Sequence, residues 1–169
     1  KLSVFTMGAA LAMGASIAFA GDYEVKDPAA FAKAFAPATV TLDQALKAAS
    51  AQGTPISAKY ELEHGALQLS VYVMKTANQF SEVIVDFKTG AVAKSETITD
   101  KGDLDDAAGQ AKTVAAAKLS LADATAKAIA ENPGYKVISL SPEMRGPNPW
   151  AEIFVIKDAD VKKTAVKLN

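Results

Sequence analysis

The chain of 169 residues carries 18 basic and 19 acidic side chains, one histidine and no cysteine, and half of its residues are hydrophobic. A chain of this length buries one medium core or two small ones, and the absence of cysteine excludes disulfides, thiolate catalysis, thiolate-bound zinc and iron–sulfur clusters. The formal charge of −1, with no long run of like charge, excludes a nucleic-acid footprint.

Residues 1–20 start at Lys1, continue through small and apolar residues and end in Ala18-Phe19-Ala20. This is the pattern of a cleaved export signal, with Gly21 opening the mature protein and a periplasmic or secreted destination. A retained anchor fits less well, because a span needs about 20 strongly apolar residues and this stretch is rich in Ala, Gly and Ser. No membrane span is expected after cleavage. With Lys rather than Met in first position, the sequence is expected to lack its true start. In the segment 21–40, Pro28 and Pro37 bracket a short helix presenting Phe31 and Phe35.

A complete small unit is predicted over 41–98. Thr41 and Gln44 form a capping box, and Leu42, Ala45, Leu46 and Ala49 make one apolar stripe. From Ile56 the period changes to two. Strands follow through Leu62, across Leu67 to Met74 and across Glu82 to Phe87, with turns at His64-Gly65 and Lys88-Thr89-Gly90 and a last strand over Ala91 to Ile98.

Residues 99–118 read as an acidic linker (Thr99 to Asp106) followed by an Ala-rich helix (Ala107 to Lys118). The acids lack the ordered ligand run of a calcium loop. The capped helix then recurs at Ser120-Leu121-Ala122-Asp123-Ala124, opening a second unit over 119–169. In it Tyr135 to Leu140 and Trp150 to Ile156 are strands, and Pro142 to Pro149 is a long, proline-stiffened loop. Lys163 to Asn169 aligns with Ser81 to Phe87, so this unit is expected to be incomplete at its C-terminal end. The fold class is α+β, two units that each pack a helix on their own antiparallel sheet.

One helix covers one sheet face, so the opposite face of the first unit is expected to be solvated or used for contact. That face carries Tyr72, Met74 and Ile84. A second candidate contact lies at the proline-rich loop, flanked by Arg145 and Trp150, residue types that dominate interface hot spots. His64, beside a turn glycine, reads as solvated, and Glu61 and Glu63 as an exposed strand face. No nucleophile with a base, metal-ligand set or cofactor motif accompanies them, so no catalytic, metal or cofactor-binding residue is expected.

Thr41-x-x-Gln44-Ala45, Tyr60-Glu61-Leu62-Glu63-His64-Gly65, Val71-Tyr72-Val73 and Val83-Ile84-Val85-Asp86-Phe87-Lys88-Thr89-Gly90-Ala91-Val92 together resemble a PepSY domain. The resemblance covers 41–98 well and 119–169 weakly, with Ser139 and Ser141 standing where the first copy has Glu61 and Glu63. It implies a cystatin-like unit in an exported, non-catalytic protein that binds or inhibits a protein partner, such as a peptidase or other hydrolase of the cell envelope. The alternative is a structural or assembly subunit that associates through sheet edges, and a small-ligand binder comes third.

Overall fold

A computed structural model describes residues 23–169. The expected export signal and the start at Gly21 lie outside these residues. Among the described residues the elements are α1 (Pro28–Phe35), α2 (Leu42–Ala49), β1 (Thr54–Glu63), β2 (Ala66–Thr76), β3 (Gln79–Val85), β4 (Val92–Thr97), α3 (Lys101–Ala116), α4 (Leu121–Glu131), β5 (Lys136–Arg145), β6 (Asn148–Lys157) and β7 (Asp160–Lys167). The mixed α+β class read from the sequence holds.

The strands form a single seven-stranded antiparallel sheet in the order β4-β3-β2-β1-β5-β6-β7. Two separate sheets were expected, and here the structure differs. The first strand of each unit is that unit's inner edge, and an edge strand presents unpaired backbone groups. These two edges pair with each other, at Ala58 with Leu140 and Lys59 with Ser139.

The seam relates the units by a local two-fold. Ala58 and Leu140 are each the fifth residue of their strands. Each strand also has its register shift at the same place, between Pro55 and Ser57 in β1 and between Val137 and Ser139 in β5. This equivalence corrects the alignment of the second copy: Ser139 and Ser141 correspond to Ser57 and Lys59, and Glu61 corresponds to Glu143.

The helices α2 and α4 lie side by side on one face. Thr41 accepts from the Gln44 amide while the Gln44 side chain accepts from the Thr41 amide, closing the capping box. The stripe Leu42, Ala45, Leu46 and Ala49 is buried, as are Leu121, Ala124 and Ala128 of α4. Together with Phe31 and Phe35 of α1 they form one core over both halves of the sheet. Tyr60 anchors this core from below, its hydroxyl donating to the Val40 carbonyl at 2.5 Å. Just past the seam, where β1 and β5 diverge, the Tyr23 hydroxyl donates to the Tyr60 carbonyl at 2.8 Å and its ring packs edge-on against Phe154.

The second helix-prone stretch differs most from expectation. Asp100 caps α3, accepting from the amides of Gly102 and Asp103, so the acidic residues read as a linker form the helix's first turns. This suits them, because carboxylates are favoured at a helix N-terminus. The helix crosses the opposite sheet face. Its Ala107 and Ala111, with Leu104 and Val114 beside them, cover Ile56, Tyr72, Phe80 and Ile98 in a second core.

Candidate functional site

The face expected to be open in the first unit is therefore the one α3 covers. Tyr72 is 1% exposed and Met74 is partly buried against the same core, so Tyr72 is a core residue there rather than a surface contact. The helix supplies apolar Ala107 and Ala111 one turn apart, which removes the ring from water at little steric cost.

Beside Tyr72 the covered face turns polar. The Tyr72 hydroxyl and Gln68 Nε2 lie 3.3 and 3.4 Å from a Glu82 carboxylate oxygen. Ser70 Oγ lies 3.3 Å from Glu61, and the buried Lys59 ammonium is 2.7 Å from the same carboxylate. Burial pushes the Glu82 carboxyl above the usual carboxylate range, a hydrogen bond from Ser70 pulls it back, and the charge of Glu61 raises it further. Burial also raises the Tyr72 hydroxyl, with the Glu82 charge adding to it. Most buried polar groups in folded proteins are partnered, and this chain of contacts supplies the partners.

The network opens into a trough of about 930 Å³ edged by Glu61, Glu63, Glu82, Glu96, Asp100 and Asp103. Asp103 is raised by burial and by the neighbouring Asp100. Among the described residues no group of three or more His, Asp or Glu side chains is placed to hold a metal ion. The turn at His64 and Gly65 takes positive φ at both residues, as a two-residue hairpin demands. There His64 stands in solvent beside Glu63 at 3.1 Å.

The other candidate surface is the β5–β6 hairpin. The long loop expected over Pro142 to Pro149 is instead strand almost throughout, with pairs from Pro142–Ala151 to Arg145–Asn148 and a tight turn at Gly146-Pro147. Past Leu140 the strand β5 has left β1, so its outer edge is free and Pro142 interrupts no ladder there. Pro149 sits at the start of β6, another position where a missing amide is tolerated. The hairpin thus extends its two strands well beyond the seam.

At its end the Arg145 guanidinium lies 5.0 Å from the Trp150 ring centroid. The Arg145 guanidinium also pairs with Glu143 at 2.6 Å and approaches Glu152 at 3.9 Å, and Lys163 pairs with Glu152 at 2.6 Å. Met144 next to it is 38% exposed. The sequence-predicted pair Arg145 and Trp150 is therefore brought together in one stacked unit with an exposed apolar neighbour. Tyr72 and Met74 lie on the same sheet face, the one α3 crosses, but in the other unit. The glutamates that hold Arg145 escaped the sequence reading, although Glu143 at i−2 on a strand was the available signal.

Among the described residues no helix is long and apolar enough to cross a membrane. The family model described as peptidase propeptide and YPEB domain, PepSY, matches residues 39–96. No curated protein matches the chain. The crystal structure of a candidate lipoprotein from Clostridium difficile 630 is similar at 20% identity and a TM-score of 0.38, over 68% of this chain and 75% of that one.

Proposed function

We propose, from the premise that residues 39–96 are a PepSY domain, that this chain is an exported, non-catalytic protein of the cell envelope that binds and restrains a peptidase or other hydrolase. The family match is the observation that carries this reading. The hairpin end supports it in physical terms. Arg145 is held over Trp150 by two glutamates, so its shape exists before binding and little side-chain entropy is lost on contact.

Affinity capture from an envelope fraction tests the reading, with a stoichiometric hydrolase as the expected result. Arg145→Ala should weaken that complex by about 1 kcal/mol or more and leave the melting temperature nearly unchanged, since an exposed cation–π contact is worth only about 0.5–1 kcal/mol. Recovery of no hydrolase, or of none that the protein slows, removes the reading.

A second reading, an assembly subunit, rests on the two outer edges of the sheet at β4 and β7. Concentration-dependent growth in sedimentation would favour it.

A further inference from the structure

On the face opposite α3, the first turns of α2 and α4 stand apart over a hollow of about 490 Å³. Its lining is mainly apolar, with Phe35, Val40 and Leu42 on one side and Ala126, Ile129 and Val137 on the other. Protein interiors leave few voids larger than a water molecule, and ligand pockets run from about 300 to 1,000 Å³. Ile129, at the mouth, leaves 42% of its surface in solvent.

The walls are held independently of any occupant. The capping box fixes α2, and Ser120 caps α4 by accepting from the Asp123 amide at 3.0 Å. The stretch between α1 and α2 is tied to the turn between β3 and β4, where the amides of Thr39 and Val40 both donate to the Phe87 carbonyl and Thr39 Oγ1 donates to the Lys88 carbonyl. A site built this way loses little entropy when filled.

Charge selects the occupant. Two exposed carboxylates, Asp43 and Asp123, line the hollow. Asp123 accepts from the Ser120 hydroxyl at 2.7 Å, a partner that brings no positive charge. Lys136 is the basic group of the lining, and its ammonium lies 5.6 Å from the Phe35 ring centroid. With two carboxylates against one ammonium the lining carries net negative charge, and most of the rest of it is apolar.

We propose that this cleft is a receptor for a peptide segment of a protein partner, taking one large apolar side chain into the hollow and an adjacent arginine or lysine onto Asp43 and Asp123. The hollow suits a side chain or two rather than a whole folded element. The site is separate from the β5–β6 hairpin and goes beyond the function proposed above.

The probes are two capped tetrapeptides, Ser-Phe-Arg-Ser and Ser-Phe-Glu-Ser, titrated into the isotope-labelled full chain and followed by amide shifts. The arginine peptide should shift the amides of Ala126, Ile129 and Val137 and bind at least about tenfold tighter than the glutamate peptide, the difference shrinking as salt is raised. Ala126→Trp, at an exposed position, should fill the hollow and abolish binding of both without unfolding the protein. Asp43→Asn should reduce the preference for the arginine peptide. Arg145→Ala should leave peptide binding intact, which separates this site from the hairpin contact. Equal affinities for the two peptides, shifts confined to other surfaces, or no shift with the arginine peptide would each overturn the proposal.

Discussion

Ser81 in β3 is fully buried, and its hydroxyl has no hydrogen-bond partner. A desolvated hydroxyl without compensation costs about 1–3 kcal/mol, so Ser81→Ala should raise stability by about 1 kcal/mol, read as a higher urea midpoint. A lower midpoint would mean that the hydroxyl is partnered in solution. Glu82 poses the opposite problem, a carboxyl that is partnered but buried. Its folded form holds a proton more tightly than the unfolded chain does, chiefly through burial. Its contribution to stability is therefore full below the unfolded carboxylate range and is lost as pH rises through the higher folded value. Glu82→Gln, neutral in both states, should gain on the parent chain as pH rises from acid to neutral. Parallel urea midpoints across that pH series would contradict the assignment. Glu82 reads in sequence as an ordinary polar position of an alternating strand, whereas Ser81 falls in phase with the apolar Val83 and Val85, which was the available sign of its burial.

Among the elements, α2 was the most legible, because capping box and stripe both depend on residues a few positions apart. Leu46→Ala, at a side chain 5% exposed, should cost about 2–5 kcal/mol, while the exposed Lys47→Ala should be near neutral; equal losses in thermal unfolding would mean that the buried face is wrongly assigned. The helix α3 was only half legible. Its acids and Gly102 resemble a linker by composition, yet Asp100 is a good N-cap, and Ala107, Gln110, Ala111 and Val114 fall at helical spacing. That stripe was the available signal that a second helix covers the other sheet face and with it Tyr72. The β5–β6 hairpin misled for a different reason. Prolines argue against a central strand, but whether a stretch of strand has a free edge depends on where its neighbour departs, which the sequence of that stretch does not record.

For the whole molecule, the capped helix recurs in sequence at Thr41 and Ser120, whereas the joining of the two sets of strands leaves no such mark. The seam at Ala58–Leu140 and Lys59–Ser139 is made by backbone groups, which leave no residue signature. What secures it from above is a side chain. Gln110 of α3 is 6% exposed, accepts from the Ser57 hydroxyl at 2.6 Å and donates to Ser141 Oγ at 3.3 Å, spanning β1 and β5 on either side of the seam. The arginine–tryptophan pair lies further along the β5–β6 hairpin, so it can be altered without removing the Gln110 contacts.

That join also orders events in time. Turns of two residues close the β1–β2, β2–β3, β5–β6 and β6–β7 pairs, whereas the seam brings Ala58 to Leu140 across about half of the chain. Local closures are fast and distant ones slow, because the entropy of the intervening loop is lost before the contact is gained. The two sets of hairpins should therefore form early in refolding, with the seam and its Gln110 clasp completed on the native side of the main barrier. Gln110→Ala, expected to cost about 1–3 kcal/mol by leaving buried hydroxyls unpaired, should accelerate unfolding and leave the refolding rate almost unchanged. Stopped-flow measurements in urea read both rates, and a proportional slowing of refolding would instead put the union of the halves inside the nucleus.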